Sequence, residues 1–297
     1  MITTIARSRG LLACLFTSGA LTLASLAAPV AQAAATKDTI LQSKSLTIGI
    51  HNRAPWGFRD EAGRATGFHP DLVRAAFAPL GITDIKFVIT DFGALIPGLN
   101  AERFDMVASG IAITAPRCEA VIFSEPDLAV GDSLIVAKGN PLKLHSYADI
   151  KANPKARLTG GRGTLNSKNA IDAGVPPAQL TYLADGQAML SALVAGRVDA
   201  ATLSGPSVAS MLADSKLQGL ERAEPFTGLM KNNVPVSMYT AIAFRKDDKD
   251  LQALYDQQLA KLKADGTVDT LMKRYGFTEA ERVPPVVTTA KVCAGEF

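Results

Sequence analysis

Two kinds of side chain in this sequence could bind a small charged solute: arginine guanidinium groups and aromatic rings. Arg117 closely follows a strand-like run that ends at Thr114. A guanidinium presents a rigid fork that holds a carboxylate by two charge-assisted hydrogen bonds. Trp56, the only tryptophan, lies in a loop rich in Pro and Gly, and Phe92 offers a second ring. Because aromatic faces attract delocalised cations, these residues favour solute binding; packing in the core is the alternative for both rings.

A glycine-rich turn at residues 160–164 precedes a helical pattern. We expect Thr164 and the backbone N–H groups of Thr164 and Leu165 at the start of a helix, where free amide groups favour an anion. A plain N-cap role for Thr164 is the alternative, and the two roles are compatible. The turn lacks the third glycine of a dinucleotide fingerprint and the lysine of a P-loop, so no cofactor is expected.

Catalytic and metal-binding patterns are missing from the sequence. His51, His69 and His145 lie far apart without metal-type neighbours, and no Gly-x-Ser-x-Gly elbow or Cys–His pair is present. His51 has no second titratable group beside it to tune its pKa, which favours a structural role. We therefore expect no catalytic residue and no metal.

The charge balance points to small-molecule partners. Among 297 residues, 31 Lys and Arg face 28 Asp and Glu, and the formal net charge of +3 is spread along the chain. Such a distribution gives no basic patch for nucleic acid or for an anionic membrane.

The first 33 residues resemble a signal peptide. Arg7 and Arg9 precede an apolar stretch over residues 10–28, and small residues flank Gln32. We predict cleavage near Ala33 and export to the periplasm. A transmembrane anchor and a lipoprotein signal around Cys14 are the alternatives, but polar residues interrupt the apolar stretch and Cys14 comes too early in it.

Cys118 and Cys293 are the two cysteines that remain after removal of the signal. An even pair in an exported protein favours a disulfide, and two separate buried thiols are the alternative. A disulfide would bring the end of the chain back to its first half.

Short apolar strands alternate with helical patterns over the mature chain, which predicts an α/β fold with largely parallel sheets. The pattern occurs twice, so we expect two lobes: residues 34–131 with 241–297, and residues 132–240. The chain would cross between them twice, forming a hinge with a ligand cleft at the carboxyl ends of the strands.

Motifs throughout the mature chain resemble the family 3 extracytoplasmic solute-binding proteins of polar amino-acid ABC transporters. The resemblance implies the two-lobe periplasmic-binding-protein fold (type II), a monomer that closes on one small solute, and delivery to a cognate ABC permease in the inner membrane. The matching stretches are residues 54–58, 67–72, 94–99, 103–105, 109–114, 123–126, 163–164, 196–200 and 245–248.

The resemblance assigns roles to particular positions. Arg117 matches the residue that grips the ligand carboxylate, and Gly110 matches the position whose carbonyl faces the ligand. Trp56 and Phe92 match aromatic residues that cover the ligand. Several stretches, such as residues 92–99 and 116–118, are most similar to the ectoine and hydroxyectoine binders of this family.

Three departures from the family pattern concern the ligand. Ser204 stands where amino-acid binders carry a carboxylate for the ligand ammonium, which favours an ectoine-like zwitterion with a shielded positive charge. Ala112 and Arg53 replace an aromatic and an acidic residue of the ectoine binders. Arg53, with Arg162, could instead meet a second carboxylate, so an acidic amino acid or dicarboxylate is the alternative ligand.

Two other functions remain open at this point. A few exported proteins of this fold are cyclohexadienyl dehydratases, which need an acid in the cleft. A binding protein of this kind could also supply a chemoreceptor or sensor kinase instead of a permease.

Overall fold

Two β-sheets organise the protein in the computed structural model, which describes residues 36–213 and 218–297. Strands and helices are numbered in chain order. The first sheet contains β1 (Ser45–Ile50), β4 (Asp84–Ile89), β5 (Met106–Ala112), β6 (Ile122–Phe123), β7 (Leu128–Val130) and β15 (Met238–Phe244). The second contains β8 (Asp132–Ala137), β9 (Leu158–Gly161), β10 (Leu180–Leu183), β11 (Ala200–Ser204) and β12 (Leu220–Arg222). Two small hairpins are β2 (Phe58–Arg59) with β3 (Ala65–Thr66), and β13 (Met230–Lys231) with β14 (Val234–Pro235).

Helices pack on both sheets. Those around the first sheet are α1 (Thr36–Ser43), α2 (Phe68–Phe77), α3 (Leu95–Asn100), α4 (Ala115–Ala120), α9 (Lys249–Ala264), α10 (Thr267–Arg274) and α11 (Thr289–Cys293). Those around the second sheet are α5 (Tyr147–Ala152), α6 (Leu165–Asp172), α7 (Gly186–Val194) and α8 (Gly205–Leu212). Strand–helix alternation in the sequence therefore predicts the α/β class correctly.

The prediction of largely parallel sheets is wrong, because both sheets are mixed. In the first sheet β4, β1 and β5 are parallel, but β15 is antiparallel to β5. In the second sheet β10, β9 and β11 are parallel, but β8 is antiparallel to β11. A parallel neighbour needs a long crossover connection. Because β8 and β15 each arrive directly from the other sheet, they lack such a crossover and run the opposite way.

The chain passes from the first sheet to the second at residues 130–132 and returns at residues 235–238. The two crossing segments adjoin, because β15 pairs with β7 in the register Met238↔Val130. β15 begins three residues before position 241, where the sequence placed the return to the first lobe. The exact lobe boundaries, 34–131 with 241–297 and 132–240, stay a prediction.

Apolar side chains cover both faces of each sheet. All seven residues of β15 are buried, as is typical of a central strand with helices on either side. One face of the first sheet packs against α2, α9 and α10. Its other face packs against α3. Phe92, in the turn just before α3, therefore lies at the edge of the first sheet that faces the second sheet.

The predicted disulfide is confirmed. Cys118 in α4 is bonded to Cys293 in α11, with 5.9 Å between their Cα atoms and a sequence separation of 175. The tail of the chain therefore packs back on the helix that carries Arg117.

The predicted signal peptide, residues 1–33, lies outside the described residues. Within the two described ranges, no helix is long and apolar enough to span a bilayer.

Candidate solute-binding site

All eight residues predicted to bind ligand line a single small cavity between the two sheets, with a volume of about 20 Å³. We call this cavity and its lining the cage. The predicted residues are Arg53, Trp56, Phe92, Gly110, Arg117, Thr164, Leu165 and Ser204. Five further residues complete the lining, and the sequence did not predict them to bind ligand. They are Ala112, Val130, Asn166, Met238 and Thr240.

Phe92 contacts two arginine side chains. It occupies a 3₁₀ turn, Phe92–Ala94, and is only 8% exposed. The guanidinium carbon atoms of Arg53 and Arg117 each lie 5.5 Å from the centroid of its ring. This is within the range of a cation–π attraction, so one phenyl ring helps to hold both positive charges at the cage.

Arg117 belongs to α4 and reaches across to the second sheet. Its guanidinium donates to the carbonyl of Ala112 at 2.7 Å and to the carbonyl of Gly163 at 2.8 Å. Burial lowers the pKa of Arg117 to about 10, because the charged form loses hydration. The group therefore stays positive at neutral pH, as a carboxylate clamp requires.

Arg53 follows β1, and its backbone is fixed by a hydrogen bond from its N–H to the Gly57 carbonyl at 2.9 Å. Its side chain makes no hydrogen bond or ion pair with any residue in the described ranges, and its buried Nε atom has no partner there. Burial lowers the pKa of Arg53 to about 10. A buried positive group of this kind needs an acceptor to offset its desolvation.

Trp56 contributes an edge to the cage, while most of its ring packs in the core. It is 1% exposed, stacks on His69 at 5.5 Å and meets the edge of Phe277 at 5.1 Å. Its indole N–H donates across the cleft to Ser207 Oγ at 3.0 Å and more weakly to Ser204 Oγ at 3.4 Å. The sequence offers core packing and a place at the site as alternatives for Trp56. In the structure its side chain does both.

Gly110 has a φ of +64°, a conformation that favours glycine. A Cβ atom there would lie 2.4 Å from Cδ2 of Trp56, so the indole needs this position to be glycine. The Gly110 N–H donates to Nδ1 of His69 at 2.7 Å. The role predicted for its carbonyl stays a prediction.

His69 connects the cage to the crossing strands. Because Nδ1 accepts the bond from Gly110, the hydrogen-bond network assigns the ring proton to Nε2, which donates to Asp127 at 3.0 Å. Thr240 Oγ1 donates to the other oxygen of Asp127 at 2.6 Å. The sequence predicts only that His69 has no metal-type partners, and no local pattern pairs it with Asp127.

Thr164 caps α6: its Oγ1 accepts from the N–H of Ser167 and donates to the Gly161 carbonyl at 2.9 Å. The expectation that the Thr164 N–H is free is wrong, because it donates to the same Gly161 carbonyl at 3.2 Å in the tight turn. Leu165 is the first residue of α6, where a backbone N–H has no acceptor within the helix. Of the two predicted amide donors, the Leu165 N–H is the one that fits an anion.

Ser204 precedes α8, and its hydroxyl donates to Ser207 Oγ at 3.0 Å. None of the described residues that line the cage is acidic. Outside this lining, the carboxylate of Asp132 accepts from the side-chain amides of Asn166 at 2.8 Å and Asn169 at 3.0 Å. Burial raises the pKa of Asp132 to about 6 despite these bonds.

Arg162 lies outside the cage. Its side chain is exposed, lies over the ring of Tyr182 at 5.6 Å and lines a separate, more open cavity. His51 also stays outside: it is buried against the edge of Phe92, and desolvation, followed by the charge of Arg53, lowers its pKa. Within residues 36–213 and 218–297, no group of three or more His, Cys, Asp or Glu side chains could hold a metal ion.

The fold, two α/β units with a cavity between them, defines a two-lobe binding protein. The sequence profile of the bacterial extracellular solute-binding proteins, family 3, matches residues 46–279. The chain therefore belongs to this family, and the predicted family and fold are confirmed.

Two similar relatives are periplasmic binding proteins. A probable amino-acid ABC transporter periplasmic-binding protein of Sinorhizobium fredii is 33% identical over 252 residues, covering 84% of this chain and 83% of the relative. The lysine/arginine/ornithine-binding periplasmic protein of Escherichia coli is 31% identical over 229 residues, covering 75% of this chain and 83% of the relative.

Solved structures agree with this assignment. The crystal structure of EhuB in complex with hydroxyectoine has a TM-score of 0.79 and 32% identity, covering 87% of this chain and 97% of that one. An ancestral amino acid-binding protein, described as a precursor of cyclohexadienyl dehydratase, has a TM-score of 0.71 and 28% identity, covering 81% and 99%. The fold thus occurs in binding proteins that accept different solutes.

Proposed function

We propose that this protein captures a small carboxylate-bearing solute in the periplasm and delivers it, as a monomer, to the permease of an ABC importer. The observation that carries the proposal is the pair of guanidinium groups beside Phe92 in a cage whose described lining has no acid. Arg117 takes the carboxylate, and the Leu165 N–H at the start of α6 completes its coordination from the second sheet.

Closure of the two lobes supplies the signal for the permease. Trp56 and Arg117 both donate hydrogen bonds across the cleft, to Ser207 and Gly163. A solute that contacts both lobes shifts the population toward the closed form by its difference in affinity for the two forms.

Binding is favoured over catalysis by the composition of the cage. A dehydratase needs a group that can protonate a leaving hydroxyl, and none of the described lining residues is Asp, Glu, His, Lys, Cys or Tyr. Incubation with a cyclohexadienyl substrate is expected to yield no aromatic product, and product formation in proportion to enzyme would contradict this part of the proposal.

Calorimetric titration of the exported, processed protein tests the function. Two solute classes fit a carboxylate on Arg117: ring zwitterions such as the hydroxyectoine bound by EhuB, and acidic amino acids or dicarboxylates. At least one of them is expected to bind saturably. Lysine, arginine and ornithine, the ligands named for the Escherichia coli relative, are expected to bind poorly because their cationic side chains would face Arg53. Saturable binding of lysine would contradict the position given to Arg53 in the site, and absence of saturable binding by every carboxylate-bearing solute would refute the proposal.

A further inference from the structure

We propose that Arg53 forms a second anion subsite, so that the solute carries two carboxylates, one on Arg117 and one on Arg53, with its body across Phe92. The inference rests on the proposed function and names its solute class, a dicarboxylate or an acidic amino acid. Both share the two anionic groups that the site would recognise.

The first observation is that Arg53 is unpaired. No described residue gives its side chain a hydrogen bond or an ion pair, and its Nε atom is buried. Arg117, the other strongly desolvated arginine among the described residues, differs in having two carbonyl acceptors. A guanidinium group has five N–H donors, and the contact with Phe92 satisfies none of them. An anion on the solute would supply the missing acceptors.

The second observation is the spacing of the two arginines. Because each guanidinium carbon lies 5.5 Å from the same ring centroid, the two are at most twice that distance apart. A short carbon chain with a carboxylate at each end can reach both groups while its methylene groups contact the phenyl ring. The aromatic residue then separates the two subsites and packs against the apolar middle of the solute.

The third observation argues against a solute with a positive charge at this point. The two guanidinium groups already lie against Phe92, and a third cation there would be repelled by both. Ser204 offers a hydroxyl where a counter-charge would be needed, and the carboxylate of Asp132 is held by Asn166 and Asn169. The electrostatics of the cage therefore favour net negative charge on the solute.

Arg53 is a lining residue of two cavities. The same side chain lines a neighbouring cavity of about 300 Å³, whose polar lining includes Asn52, Arg59, Asp185 and Gln187. Asp185 is its one acidic group among the described lining residues, and it could face an amino group of the solute. The cage of about 20 Å³ and this cavity share Arg53 as a lining residue, so its side chain forms part of the wall of both.

Titration of the wild-type protein with matched solutes gives the first test. The pairs are glutamate with glutamine, and succinate with its monoamide, and ectoine and hydroxyectoine are included as ring zwitterions. A charge-assisted pair contributes about tenfold to 150-fold in affinity. We therefore expect each diacid to bind at least tenfold more tightly than its monoamide, without any mutation of the protein.

Arg53→Gln gives the second test. The variant should lose about tenfold to 150-fold in affinity for the diacids and little for the monoamides, so that the preference disappears. Arg162→Gln removes the same charge from an exposed side chain outside the cage and should change affinity less than twofold. Added salt should weaken diacid binding more in the wild type than in Arg53→Gln.

Several outcomes would overturn the inference. Binding of a ring zwitterion or a monocarboxylate with no preference for diacids would refute it and leave the proposed function intact. An undiminished preference in Arg53→Gln would also refute it. Absence of binding by every solute would overturn both the inference and the proposed function.

Discussion

Replacement of Arg117 should separate the energy of solute binding from the energy of folding. If Arg117 holds a solute carboxylate by a bidentate pair, its truncation to alanine leaves that carboxylate desolvated and unpaired. Losses of this kind are about 2–5 kcal/mol, which corresponds to a decrease in affinity of about 30-fold to several thousand-fold. Arg117→Lys keeps the charge but not the fork, so it should recover only part of this loss.

The cost to folding can be worked out from the same contacts. Arg117→Ala removes the donor to the Ala112 carbonyl in the first sheet and the donor to the Gly163 carbonyl in the second. Only the first of these acceptors is well buried, so we expect the free energy of unfolding to fall by about 1–3 kcal/mol. The variant should therefore remain folded at room temperature while its affinity collapses.

The assay combines titration calorimetry with denaturant unfolding of the same preparations. Arg103→Ala is the matched control, because it removes one exposed positive charge outside the cage and should leave both quantities unchanged. An affinity of Arg117→Ala within threefold of the wild type would refute the carboxylate clamp. A stability loss without an affinity loss would assign Arg117 a structural role only.

Three further predictions concern stability. Replacing Cys118 and Cys293 together by alanine should lower the free energy of unfolding by up to about 5 kcal/mol, because the bond closes a loop of 175 residues, and unchanged denaturant midpoints would contradict this. Burial raises the pKa of Asp132 to about 6, so its contribution to stability is fully present below pH 4 and is lost as pH rises through 6. The stability of the wild type relative to Asp132→Asn should thus fall by up to about 3 kcal/mol from pH 4 to pH 7 in urea titrations, whereas a constant difference would show that the carboxylate is not desolvated. Gly110→Ala should displace Trp56 and shift its fluorescence emission, and an unchanged spectrum with wild-type stability would contradict the close packing found at this glycine.

The parts of the fold that follow from local pattern could be predicted from the sequence. The regular apolar run of β1, the helical spacing of α2 and the glycine-rich turn before α6 each reflect neighbours within one turn or one strand. Residues tied to such local features, including Phe92 and Arg117, lie at the cage.

What the sequence could not predict depends on contacts between distant parts of the chain. Trp56 and Ser207 are 151 residues apart, and nothing near either residue indicates their hydrogen bond. The positions of Asn166 and Thr240 in the cage could not be predicted for the same reason. Asn166 lies near the start of α6 and Thr240 lies in the buried strand β15, and neither location indicates a ligand site. The antiparallel direction of β15 was also missed, because it depends on how the chain returns from the second sheet.

The crossing strands and the cage share one hydrogen-bond network. Asp127 precedes β7, and Thr240 lies in β15, so the bond between them joins the two strands that carry the chain between the sheets. Asp127 also accepts from His69, whose other ring nitrogen accepts from the N–H of Gly110 in the wall of the cage. A rotation of the lobes that disturbs β7 or β15 therefore acts on the position of Gly110 and on Trp56 packed against it. When only one member of such a buried network moves, it leaves a polar group without its partner, which is unfavourable. We therefore expect the cage and the hinge to change together rather than independently.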